Sequence, residues 1–120
     1  MYSIVLYTDD HGNCPIEDFM KCLREKALTI KNDRIQFKQV KSYVEVLKRL
    51  GTRAGEEFVK HISDDIWELR PGTNRILFAW DGYRYVLLHN FQKKTNKTPK
   101  REIEKAKREF QDWVKRHGHQ

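Results

Sequence analysis

RILFAW at 75–80 is followed by Asp81-Gly82 and then by YRYVLLHNF at 83–91, and this region gives the clearest fold signal in the sequence. An Asp-Gly pair between two apolar runs is the strongest short-range signal for a β-hairpin. The second run is long and mostly apolar, which is typical of a central strand covered on both faces. The sequence therefore predicts two neighbouring antiparallel strands in the middle of a sheet.

Further strands are predicted on the N-terminal side of this hairpin. IWELR at 66–70 is apolar enough for a strand, and Pro71-Gly72 ends it. YSIVLY at 2–7 is rich in β-branched and aromatic side chains, which favours a first strand. The sheet should thus contain one N-terminal strand and three consecutive antiparallel strands.

Apolar side chains recur at helical spacing in three other segments. Residues 15–29 and residues from about 33 to 50 form two such helices, which we expect to pair as an αα-hairpin. Thr98 is suited to the N-cap of a final helix and Pro99 to its first position. Residues 51–65 show no clear period, and a short helical turn is the expectation there.

The predicted order is strand, two helices, three antiparallel strands and a helix. This order indicates an α+β protein in which a helix pair covers one face of a small, mostly antiparallel sheet, giving a two-layer domain. A chain of 120 residues is long enough for one hydrophobic core. Residues 1–120 are therefore predicted to form a single domain.

The positive charge is concentrated near the C-terminus. The net charge is +7, and residues 93–117 hold ten Lys or Arg against four Asp or Glu. A local surplus of this kind favours a polyanionic partner, most commonly nucleic acid. The alternative is a solvated basic helix that serves only solubility.

Several functional classes are disfavoured. No stretch approaches the roughly 20 apolar residues that span a bilayer, and MYSIVLYTDD lacks the basic start of a signal peptide. A cytoplasmic protein without a membrane partner is the expectation. Cys14 and Cys22 lack histidines at ligand spacing, and Asp64-Asp65 has no accompanying carboxylate–histidine cluster. Neither a metal nor another cofactor is predicted.

Three motifs in the second half carry a family resemblance. They are WELRP (67–71), NRILFAW (74–80) and YVLLHNFQKKTNKTPKREIEKAK (85–107). In order and spacing they resemble the RelE/ParE toxin superfamily, and its phage-derived, HigB-like branch in particular. The matching positions are Leu69, Arg70, Arg75, Phe91, Lys93, Lys94, Thr98, Pro99 and Glu102.

The resemblance implies a RelE-like fold and the toxin of a type II toxin–antitoxin system. In the RNA-cleaving members, the toxin cuts mRNA on the ribosome without a metal. The ribose 2′-OH attacks the adjacent phosphorus and leaves a 2′,3′-cyclic phosphate and a 5′-hydroxyl. A HigA-like antitoxin would hold the toxin inactive, and operator DNA would be bound only through the antitoxin complex.

Arg75 and Arg70 are the first candidates for the catalytic site. Arg75 opens one predicted strand and Arg70 ends the preceding one, so both can face one site across a short turn. A guanidinium can grip two phosphate oxygens at once and stabilise the charge of the transition state. Alternatively, Arg70 pairs with Glu68 or with an acidic group of the final helix.

Lys93, Lys94 and His89 are the remaining catalytic candidates. The lysines follow the last strand, where they can reach a phosphate or, with a lowered pKa, move a proton. His89 can exchange protons near neutral pH, and strand alternation places it on one side with Leu87 and Phe91. A hydrogen-bonded core histidine is the competing interpretation. No tyrosine follows the final helix, so the acid and base stay open.

RNA contacts are predicted at four further positions. Phe91 can stack on a base, although core packing is an alternative. Lys97 lies in the basic loop, and Lys48 and Arg49 lie off the apolar face of the second helix. All three cations can meet phosphates.

Two other functions fit the sequence. The first is a ParE-like inhibitor of DNA gyrase, and the second is a non-enzymatic nucleic-acid-binding domain. A clustered set of Arg70, Arg75, Lys93 and Lys94 favours the nuclease, because a gyrase inhibitor does not need a cationic cleft. Product chemistry separates the nuclease from a binding domain, which leaves no cyclic phosphate.

Overall fold

A computed structural model describes residues 1–118 of the chain. Within these residues it contains three α-helices and five strands. In chain order they are β1 (Ile4–Leu6), α1 (Pro15–Ala27), α2 (Lys31–Leu50), β2 (Val59–Ser63), β3 (Ile66–Leu69), β4 (Asn74–Trp80), β5 (Tyr85–Gln92) and α3 (Lys100–His117).

The strands form one sheet in the order β1-β5-β4-β3-β2. The four strands from β2 to β5 are antiparallel, and β1 adds to β5 in parallel. The predicted hairpin is therefore present, and β5 has neighbours on both sides. Its turn is wider than expected, because Trp80 pairs with Tyr85 and residues 81–84 form the loop.

The helices lie on opposite faces of this sheet. Ile16, Leu23, Val40 and Leu47 of α1 and α2 pack in one cluster with Ile76, Phe78 and Leu87. Ala106, Phe110 and Trp113 of α3 pack in a second cluster with Leu77, Ala79 and Leu88. The α+β class, the helix pair and the C-terminal helix are confirmed. The helix pair and the sheet form the two predicted layers, and α3 adds a cover on the other face.

Residues 51–65 differ from the expectation of a helical turn alone. Residues Gly51–Ala54 form one turn of 3₁₀ helix, and β2 follows as an edge strand paired with β3. The sequence VKHIS gives a weak strand signal because the strand is short and two of its residues are exposed. Pairing with β3, and not the local pattern, decides its conformation.

A β-bulge in β5 changes the direction of His89. Leu77 pairs with His89, whereas the next residue, Phe78, pairs with Leu87, so Leu88 is the extra residue. Leu87 faces the helix pair, and Leu88 and His89 both face α3. The prediction that His89 shares a side with Leu87 is wrong for this reason. His89 does share a side with Phe91.

Asp81 ties the hairpin loop to α3. Its buried carboxylate accepts hydrogen bonds from Trp113 Nε1 at 2.9 Å and from the backbone amides of Tyr83 and Arg84 at 2.9 and 2.8 Å. Burial would raise the pKa of Asp81, but these bonds outweigh it and hold the pKa below its ordinary value. The last helix is thereby anchored far from its N-terminus.

Helix α3 begins slightly later than predicted. Pro99 occupies the N-cap and Lys100 is the first helical residue. Thr98 does not cap the helix, since its hydroxyl donates to Glu68 in β3. Among residues 1–118, no helix has the length and apolar character needed to cross a membrane.

Candidate active site

A cleft of about 220 Å³ opens on the α3 side of the sheet, where β2, β3 and β4 meet the loop between β5 and α3. It contains four of the predicted catalytic or RNA-binding cations. It is lined by Lys60, His61, Ile62, Glu68, Arg70, Arg75, Phe91, Lys93, Thr95, Asn96, Lys97, Thr98 and Ile103.

Arg75 is fixed at the floor of this cleft. Its Nη1 donates to the carbonyl oxygens of Gly72 at 2.7 Å and Asn74 at 2.9 Å, and the residue is 6% exposed. Burial lowers the pKa of Arg75, Glu68 opposes that shift, and Arg70 adds to it. Arginine stays protonated in such settings, so the guanidinium is an oriented positive charge with little freedom.

Glu68 joins the two arginines. Its Oε1 lies 3.6 Å from Arg75 Nε and 3.7 Å from Arg70 Nε, so it forms an ion pair with each arginine. The structure thus brings Arg70 and Arg75 together at one carboxylate. The ion pair between Arg70 and Glu68, which was the alternative interpretation, is also present. Two guanidinium groups against one carboxylate leave a net positive charge.

Arg70 retains a free donor in this arrangement. Its Nη1 donates to the carbonyl of Glu56 at 3.0 Å. Its Nε is buried and has no hydrogen-bond partner among residues 1–118. A buried donor without an acceptor is costly, and the Glu68 carboxylate at 3.7 Å offsets that cost by its charge.

The basic loop is fastened to the cleft at both ends. The backbone amide of Lys93 donates to the carbonyl of Thr73 at 2.7 Å. At the other end, Thr98 Oγ1 donates to Glu68 Oε2 at 2.7 Å. These bonds hold Lys93 and Lys97 on the cleft wall, where Lys60 joins them.

Phe91 lies opposite Arg75 in the β4–β5 register and lines the cleft while packing partly on the core of α3. The packing interpretation of Phe91 therefore holds in part, and base stacking stays a prediction. Beside it, a second depression contains Lys94 and Glu102 and shares Phe91, Thr95, Lys97 and Thr98 with the cleft. Lys94 thus borders the cleft from the neighbouring hollow.

His89 does not line either hollow. It is 2% exposed, and both ring nitrogens meet carboxylates of α3. Nδ1 lies 2.5 Å from Glu109 Oε1, and Nε2 lies 2.9 Å from Glu102 Oε1. In this position His89 cannot contact a substrate, so it can influence chemistry only through Glu102.

Lys48 and Arg49 lie apart from the cleft, in the last turn of α2. Lys48 borders a separate hollow with Tyr2 and Val44 on the helix-pair side. The structure therefore does not unite these two predicted RNA contacts with the arginines. Among residues 1–118, no three His, Cys, Asp or Glu side chains are grouped as metal ligands.

Sequence reasoning missed Glu68, Lys60 and Glu102 as members of the site. Glu68 had a signal, because a carboxylate between Trp67 and Leu69 in an apolar strand must find cations if it is buried. No sequence signal pointed to Lys60, since its strand, β2, was not predicted. Glu102 was matched only as part of a motif.

Together, the fold and the cleft define a small α+β protein with a rigid pair of arginines at one end of its sheet. The profile of the family described as Phage derived protein Gp49-like (DUF891) matches residues 31–111, which include every residue of the cleft. The chain belongs to this family, which is a RelE-like toxin family. No curated protein matches the chain.

Proposed function

We propose that this protein is the toxin of a HigB-like type II toxin–antitoxin system and that it cleaves mRNA on the ribosome. Membership of the Gp49-like family supports the general assignment as a toxin of a toxin–antitoxin system. The observation that carries the nuclease is the convergence of Arg70 and Arg75 on Glu68 inside a cleft bordered by lysines.

The chemistry requires little beyond oriented charge. The ribose 2′-oxygen bonds to phosphorus as the bond from phosphorus to the 5′-oxygen breaks, which gives a 2′,3′-cyclic phosphate and a 5′-hydroxyl. Negative charge grows on the non-bridging oxygens, where Arg75 and Arg70 act as the clamp. Lys93 and Lys97 bind the flanking phosphates, and Phe91 stacks on a base.

The partners follow from the same charge distribution. A basic toxin attracts an antitoxin through an acidic or amphipathic segment, and a HigA-like protein with a helix-turn-helix domain is the proposed type. Operator DNA is bound through that complex. The ribosome supplies the mRNA substrate.

Primer extension on a reporter mRNA after brief induction tests the proposal. The intact protein should produce discrete cuts within translated codons, and these cuts should vanish when translation is blocked. Arg75→Lys should lower cleavage strongly, because lysine keeps the charge but loses the two-pronged grip. Arg70→Ala should also lower cleavage strongly. Because Arg70 is partly exposed, this substitution leaves no cavity in the hydrophobic core.

Arg24→Ala is the matched control, since Arg24 is exposed on α1. It should cleave as the intact protein does. Growth arrest with intact mRNA would overturn the nuclease and favour gyrase inhibition, which a supercoiling assay with purified gyrase would then detect. Binding without a cyclic phosphate product would favour the non-enzymatic domain.

A further inference from the structure

A chain of three side chains runs from the core to the edge of the cleft. Glu109, His89 and Glu102 are joined by the two contacts of 2.5 and 2.9 Å. Glu102 and Glu109 are seven residues apart and therefore lie on one face of α3, two turns from each other. Ala106 lies between them on that face and is fully buried.

The two hydrogen bonds require two protons. A neutral imidazole donates from one nitrogen and accepts at the other, and an ionised carboxylate can only accept. Each nitrogen of His89 faces a carboxylate oxygen, so a neutral ring between two carboxylates would leave one contact repulsive. When both carboxylates are ionised, only an imidazolium can donate to each of them, and the two flanking carboxylates then compensate its burial.

Glu102 is the end of this chain that reaches the solvent. Its side chain is 18% exposed, against 2% for His89 and 10% for Glu109. It lines the depression that shares Phe91, Thr95, Lys97 and Thr98 with the cationic cleft. His89 occupies Oε1, which leaves Oε2 as the oxygen available to a ligand.

Other charged groups face this chain. Arg101 Nε lies 3.9 Å from Glu102 Oε2, and Lys94 lines the same depression. Tyr7 lies near the inner end. Burial first, and then Asp112 and Glu109, raise the pKa of Tyr7, so its hydroxyl stays neutral. Cations thus surround the outer carboxylate, and a neutral hydroxyl adjoins the inner one.

We propose that Glu102 accepts the 2′-OH proton during RNA cleavage and that His89, held by Glu109, is the positioning residue for its carboxylate. This assignment rests on the proposed function. The proton moves to Glu102 Oε2 as the 2′-oxygen bonds to phosphorus. The departing 5′-oxygen takes a proton from water, and Glu102 returns its own to the solvent through its exposed edge.

Glu102→Gln tests the acceptor. The amide keeps the shape and still accepts a hydrogen bond from His89, but it cannot take a proton. Cleavage of translated mRNA should fall by roughly 10²–10⁴-fold, the usual contribution of a general base. Ribosome binding should stay within about twofold, because the phosphate contacts are untouched. Glu104→Gln, at an exposed carboxylate of the same helix, should cleave normally.

His89→Gln tests the positioning role. Loss of a cation beside Glu102 makes its carboxylate easier to protonate, so the acidic limb of the pH–rate profile should move to higher pH. If His89 were purely structural, His89→Gln would lower the rate equally at every pH. That result would overturn the positioning role of His89.

The outcomes separate this inference from the proposed function. Full cleavage by Glu102→Gln, in a protein that does cut mRNA, overturns the assignment of Glu102 and leaves the nuclease standing. Absence of cleavage by the intact protein overturns both. Thermal unfolding of each variant shows whether the fold is kept.

Discussion

Glu68 Oε1 lies 3.6 Å from Arg75 Nε, and the side chains of both residues are almost completely buried. The same oxygen approaches Arg70, and the other carboxylate oxygen accepts the Thr98 hydroxyl. One carboxylate therefore orients two guanidinium groups and fastens the basic loop. It also removes part of the positive charge that a phosphate would meet.

Glu68→Gln should separate these two effects. RNA binding should tighten because an anion leaves the cleft, whereas cleavage should fall at least about tenfold, since the arginines lose their common anchor. The free energy of unfolding should drop by up to about 3 kcal/mol, because a buried charge loses its partner.

The measurements are RNA binding, primer extension and urea unfolding. Glu56→Gln is the control for Glu68→Gln, because only the backbone carbonyl of exposed Glu56 contacts Arg70. It should change none of the three. Weaker RNA binding by Glu68→Gln would show that the carboxylate is needed chiefly to keep the arginines in place for binding.

Gly72→Ala should impair cleavage through Arg75. Gly72 has a φ of +61°, and a Cβ there would lie 2.6 Å from Gln39 Oε1. The strain should cost roughly 1–2 kcal/mol and move the carbonyl that Arg75 Nη1 contacts. Gly12→Ala is the control. It imposes similar backbone strain at φ +84°, but its Cβ would meet no other atom, and Gly12 is distant in sequence from the cleft residues. Both variants should lose stability in urea, and only Gly72→Ala should lose cleavage.

Asp81→Asn should alter the pH dependence of stability. The pKa of Asp81 is lowered in the folded state, so its contribution is present above the unfolded pKa of about 3.9 and is lost as pH falls through the folded pKa. The variant should be less stable by roughly 1–3 kcal/mol at pH 7. The difference from the intact protein should shrink in acid. Asp10→Asn, at an exposed site, should show no such change in urea unfolding between pH 2 and 7.

Lys93 and Lys97 should bind RNA phosphates, whereas Lys48 and Arg49 should serve another contact. Replacing both loop lysines by alanine should lower the salt slope of single-stranded RNA binding by about 1.4, at about 0.7 for each phosphate contact. Replacing both α2 cations should leave that slope unchanged and weaken ribosome binding. Unchanged ribosome binding would remove Lys48 and Arg49 from the interface.

Sequence patterns predicted most of the elements, because their signals are local. The Asp81-Gly82 hairpin depends on neighbouring residues, and the helical spacing of α1 and α2 repeats within each segment. β2 was missed because its pairing with β3 stabilises a strand whose own pattern is weak. The closeness of Arg70 and Arg75 could be predicted, since only a short turn separates them.

Local patterns were enough to predict the α+β class, the helix pair, the basic C-terminal region and the two arginines at adjoining strand ends, because periodicity, turn chemistry and charge are properties of short segments. Which groups contact one another depends on the packing of the folded chain. The bulge at Leu88 turned His89 toward Glu102 and Glu109, and the packing of the 93–98 loop brought Thr98 to Glu68. These contacts join residues 13 to 30 positions apart, and no local pattern specifies them.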